Sequence, residues 1–164
     1  HSLGGYKMND DRYILVIADD TEEMNIALDY ACARSKKTGR KIIIATFIEP
    51  LDVLTTQGVT EIMKNEAREE SERILKNAGK IVKELTGALP ILYTREGEVI
   101  SELKKLIEEE KNINVLVLAA NSNEKEKNPG PIINALVTKE ISSLRIPVMI
   151  VPGSFSKEYI SQIT

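Results

Sequence analysis

Five short apolar runs punctuate the chain: Tyr13–Ala18, Lys41–Phe47, Leu89–Thr94, Asn114–Ala119 and Ile146–Val151. Most are continuous rather than alternating, the pattern of strands covered on both faces in a parallel sheet. Between them the apolar positions recur at helical spacing. Met24, Ala27, Leu28, Ala31 and Ser35 form the first stripe, with Thr21 as its expected N-cap and Gly39 as its stop. The second runs from about Thr60 to Thr86, clearest at Ile74, Ala78, Ile81, Val82 and Leu85, and Gly87 closes it. Val99, Ile100, Leu103, Leu106 and Ile107 mark the third. Ile133, Leu136, Val137, Ile141 and Leu144 mark the fourth, opened by Pro131 at a favoured first position.

Strand and helix therefore alternate throughout. With right-handed crossovers this is an α/β fold, a doubly wound five-stranded parallel sheet with helices on both faces. Pro90 in the third run suits an edge strand, because proline cannot donate to a neighbour. The very apolar fifth run would invite association if it were also an edge. A homodimer covering Ile146 to Val151 answers that exposure. The expected organisation is a disordered or cloning-derived stretch over 1–11, one domain over 12–152 and a tail over 153–164. Two connections stand out: Ile48–Val59, long and partly apolar, a cover or a contact segment, and Asn121–Gly130, polar and lysine-rich.

Composition narrows the chemistry. The 164 residues are 42% hydrophobic and 29% charged with a net charge of −3, as in an ordinary soluble domain. No apolar run reaches the ~18 residues of a membrane span. Two Phe, five Tyr and no Trp leave little for a nucleic-acid stacking platform. The sole histidine is His1 and the sole cysteine is Cys32, mid-helix beside the apolar stripe. That leaves no histidine triad, no Cys/His metal site and no internal disulfide within the domain. The start of the chain lacks the apolar core of a signal peptide, so a cytoplasmic location is expected.

The opening ILVIADDTEEMNIAL, the segment REGEVISELKKLIEEEKNINVLVLAA and the closing LVTKEISSLRIPVMIVPG together resemble the universal stress protein (UspA-like) family, from Arg12 to Pro152. The resemblance implies a Rossmann-like sheet in the order 3-2-1-4-5, of the adenine nucleotide alpha hydrolase-like type, and a dimer through the fifth strand. Nucleotide-binding members carry, after the fourth strand, a Gly, two residues, a Gly, nine residues, a Gly and then Ser or Thr. Bare backbone there lets amides approach and cradle phosphates. Here the matching positions are Ala120, Asn123, Asn134 and Ala135, with ten residues between Asn123 and Asn134. All three glycines and the hydroxyl are replaced, so the chain resembles the class lacking the ATP-binding glycine motif.

Were ATP or AMP bound, the resemblance places it against Ala18, Asp19, Phe47, Ala120, Asn121, Gly130 and Ile132. Each has a second reading: Asp19 as acceptor for amides of its own turn, Phe47 as core, and Asn128-Pro129-Gly130-Pro131 as a tight turn that starts a helix. A phospho-accepting receiver domain shares the topology, but needs an Asp after the third strand and a Lys after the fifth. Arg95-Glu96 and Pro152-Gly153 stand there instead. The expected function is a stress-response regulatory homodimer that is not an enzyme, holds no metal or cofactor, and acts by binding unknown regulatory proteins. The alternative is an adenine-nucleotide-binding stress protein with slow or no hydrolysis.

Overall fold

In the computed structural model, residues 11–50, 57–122 and 127–164 are described. Five parallel strands, β1 (Tyr13–Ile17), β2 (Lys41–Ile48), β3 (Ile91–Glu96), β4 (Ile113–Ala120) and β5 (Val148–Pro152), form one sheet in the order β3-β2-β1-β4-β5. The helices are α1 (Glu23–Thr38), α2 (Gln57–Thr86), α3 (Val99–Glu109), α4 (Pro131–Ala135) and α5 (Lys157–Ile163). The doubly wound expectation is met, including the order of strands. Residues 1–10 of the expected N-terminal stretch and residues 51–56 of the Ile48–Val59 connection lie outside the described residues.

The continuous apolar runs become strands buried on both sides. Alternate residues of β1 divide between two cores: Ile14 and Val16 pack with Met24, Leu28 and Ala78 on the α1/α2 face, Leu15 and Ile17 with Leu103, Leu106 and Leu136 on the other. Gly39, at φ 79°, ends α1 by donating its N–H to the Ser35 carbonyl at 2.8 Å. Gly87 closes α2 the same way on Lys83, at 2.9 Å.

Several boundaries move for local reasons. β3 begins after Pro90 and β5 after Pro147, so neither proline occupies a strand position that would have to donate. Thr21 does not cap α1: the cap residue is Glu22, without a side-chain bond. Glu98 caps α3 instead, its carboxylate accepting from the amides of Ile100 at 3.1 Å and Ser101 at 2.7 Å. The fourth helical stretch is irregular. α4 widens to a π-helical segment over Leu136–Glu140 and tightens to a 3-10 turn over Ile141–Ser143. Beyond β5 the tail folds, and α5 packs along α1 with Ile160 buried.

Candidate functional site

In a doubly wound sheet the chain leaves neighbouring strands in opposite directions at one point, opening a crevice beyond their carboxyl ends. Here that point falls between β1 and β4, which pair in parallel through Leu15–Leu116 and Val16–Val117. A cleft of about 270 Å³ opens there. Its walls are the β1 exit (Ile17, Asp19), the start of α1 (Thr21, Glu23, Met24, Ala27), the β4 end (Leu118, Ala119, Asn121) and the approach to α4 (Pro129 to Ile133).

Four of the residues expected at a nucleotide site meet in this cleft: Asp19, Asn121, Gly130 and Ile132. Ala18 is buried in the α1/α2-side core, its amide donating to the Ala45 carbonyl at 2.8 Å as part of the sheet. Phe47 and Ala120 pack against the opposite core rather than lining the cleft. Asn123 and Lys125 lie outside the described residues. The apolar wall of Met24, Ala27, Leu118 and Ile133 was not anticipated as part of a site. Its signal was present, since a helical stripe that begins just past a strand end must overhang it by a turn.

Asp19 is committed locally. Its Oδ1 accepts from the Thr21 backbone N–H at 2.9 Å and from the Thr21 hydroxyl at 2.5 Å, which shapes the turn into α1. On the far wall, amides that could face an anion already have partners. Asn121 N–H donates to the Pro129 carbonyl at 3.0 Å, Gly130 N–H to the Asn128 carboxamide oxygen at 3.0 Å, and Asn134 N–H to the Gly130 carbonyl at 2.9 Å. Pro131 supplies none. Gly130 is required by its backbone, at φ 121° and ψ 155°, a region open essentially to glycine alone. The first amides left to α4 are those of Ile132 and Ile133.

The charge of the lining points the same way. Among the described residues it holds two acidic side chains, Asp19 and Glu23, and no Lys, Arg or His. Like charges about 6 Å apart at an effective dielectric near 20 repel by about 3 kcal/mol. A polyphosphate in this cleft would face that repulsion without a cation among the described lining residues to offset it. Among the described residues there is no cluster of three or more metal-binding side chains. Cys32 lies deeper in the α1-side core, where burial first and Asp29 second push its thiol up to about 12, so it is not a nucleophile at neutral pH.

Comparison with known proteins places this fold. The model of the universal stress protein family matches residues 12–152. The chain belongs to the universal stress protein family. No curated protein sequence matches it. Among solved structures it is similar to the universal stress protein UspA from Lactobacillus plantarum, at 12% identity and a TM-score of 0.69, covering 85% of this chain and 97% of that one. It is also similar to a universal stress protein in complex with cAMP (20% identity, TM-score 0.61, 88% and 99% covered). A third is the universal stress protein from Archaeoglobus fulgidus in complex with dAMP (14% identity, TM-score 0.58, 88% and 99% covered). At these identities the likeness is one of fold. Among the described residues, no helix is long and apolar enough to cross a membrane.

Proposed function

We propose that this protein is a cytoplasmic stress-response homodimer that acts by binding rather than by catalysis, with nucleotide binding weak or absent. One observation carries the reading: among the described residues the β1/β4 cleft has no cationic lining residue, and the amides of Asn121, Gly130 and Asn134 are satisfied within the protein. A triphosphate needs such donors, and the lining offers it carboxyl groups instead. The cleft volume, about 270 Å³, also falls just below the roughly 300–1,000 Å³ usual for ligand sites. The dimer reading is supported by the place of β5 at a sheet edge, with Met149 and Ile150 exposed on it.

A second reading is favoured by the cleft itself. Solved members of the family are described in complex with cAMP and dAMP, each with one phosphate group. A monophosphate asks for fewer donors than a triphosphate, and the Ile132 and Ile133 amides at the start of α4 would serve one. Here the protein would bind adenosine monophosphates in preference to ATP.

Thermal unfolding with AMP, and with ATP plus Mg²⁺, tests both. A ligand at 100 times its dissociation constant adds about 2.7 kcal/mol, easily read as a rise in Tm. The first reading expects little change with either nucleotide. A rise with AMP alone that disappears in Asp19→Ala selects the second, and a large rise with ATP sinks both. Light scattering at micromolar concentration tests the dimer, which a monomeric mass would contradict.

A further inference from the structure

The folded chain continues past the family match, which stops at Pro152. Gly153 passes hard against the Ala120 carbonyl at the end of β4, and a Cβ on it would come within 3.2 Å of Glu23 Cγ at the start of α1. The chain then turns, Phe155 N–H donating to the Pro152 carbonyl at 3.1 Å. Phe155 packs against the core that holds Met24, Ala27 and Val151, and meets Tyr159 edge-to-face at 4.9 Å. Ser156 caps α5 by accepting from the Tyr159 amide at 3.1 Å. Ile160 is 2% exposed, and Lys157 Nζ lies 3.9 Å from Asp29 Oδ1 on α1.

We propose that the segment Gly153–Thr164 is a built-in brace that fixes the first turns of α1 and thereby the opening of the β1/β4 cleft. The first turn of α1 needs outside support, since its cap residue Glu22 makes no side-chain bond. It is shared between two neighbours. Glu23 and Met24 line the cleft, Glu23 also abuts Gly153, and Met24 belongs to the core against which Phe155 packs. A displacement of the tail therefore relaxes the same side chains that wall the cleft. By linkage, whatever fills the cleft alters tail docking by the factor with which docking alters its affinity. That coupling rests on the reading of the cleft as a binding site; the brace does not.

The test compares the 164-residue chain with Phe155→Ala/Ile160→Ala and with a chain ending at Pro152, by hydrogen exchange resolved to segments. Cys32, buried in the α1 stripe and the sole cysteine of the chain, serves as a second reporter through its rate of reaction with a disulfide reagent. Once protection of residues 157–163 is lost or the segment is removed, amides of residues 23–28 should exchange about tenfold faster or more. Cys32 should label faster, while β2 and β3 keep their protection. Unchanged protection of residues 23–28 in a folded chain whose tail is undocked or absent overturns the brace. Uniform loss of protection in both variants overturns it too, since the tail would then support the whole fold and not α1 in particular. AMP titration of the 164-residue chain runs alongside: no binding there removes the nucleotide reading of the cleft, and the exchange result still decides the brace.

Discussion

A methyl group on Gly153 would overlap the backbone carbonyl oxygen of Ala120, where the exits of β4 and β5 run side by side. The glycine is needed there for space, because its φ is not in the left-handed region. Gly39 is the opposite case: φ is 79° and nothing lies within 4 Å of an added Cβ. We therefore expect Gly153→Ala to cost about 1–3 kcal/mol, as overpacking does, by displacing backbone. Gly39→Ala should cost about 1 kcal/mol through conformation alone. Urea titrations of both variants read the difference. Wild-type stability for Gly153→Ala would show that β5 can yield at no cost.

The Thr46 and Ser71 hydroxyls, 4% and 6% exposed, share a hydrogen bond of 2.9 Å between β2 and α2. Ser71→Ala leaves the Thr46 hydroxyl buried without its partner and should cost about 1–3 kcal/mol. Thr46→Val/Ser71→Ala removes both polar groups and should recover most of that loss. A double variant as unstable as the sum of the singles contradicts the coupling.

Arg145 collects backbone carbonyls where α3 ends and β4 begins. Its Nη2 donates to Ile107 at 2.6 Å and to Glu110 and Ile113 at 3.2 Å each, and its Nη1 to Lys111 at 3.3 Å. Arg145→Ala should cost about 2 kcal/mol, within the range for hydrogen bonds to charged groups. Arg145→Lys should restore less than half, because an ammonium cannot present the planar fork. Full rescue by lysine in a denaturant titration would reduce the role of Arg145 to that of a point charge.

Burial raises the Asp29 carboxyl above its ordinary 3.8 more than Lys157 lowers it. The folded protein thus favours the protonated form. That contribution to stability is fully present below the unfolded pKa and is lost as pH rises through the folded one. Asp29→Asn stays neutral at every pH, so it should melt above the wild type at pH 7, with the gap closing towards pH 3. Thermal scans at pH 3, 5 and 7 check this, and a variant that melts lower at pH 7 would show the Lys157 contact to be the stronger term.

The framework was largely legible because it depends on periodicity. Continuous runs such as Ile42–Ala45 can only be strands covered on both faces, and the stripe Met24, Ala27, Leu28, Ala31 lands on the sheet as its spacing requires. Caps were less legible. Thr21 looked like the cap of α1, but the Asp19 carboxylate took its amide and hydroxyl, while Glu98, a residue not favoured for that position, caps α3. Phe47 shows the same limit: its type suits the flank of a flat ligand, and the face of β2 on which it falls sends it into the core.

Residue order alone determined the alternation of strand and helix and the placement of the family's span on this chain. Those features rest on local periodicity and on which side chains exist at given positions. Only the folded chain decided which of the Asp19, Phe47 and Gly130 candidates share a cavity, which amides beside it are already engaged, and that the tail returns to α1 through Phe155 and Ile160. Such contacts join residues far apart in sequence, and no periodicity encodes them. They exist because closing the sheet brings the ends of β1, β4 and β5 together, where burial and hydrogen-bond satisfaction select among the available partners.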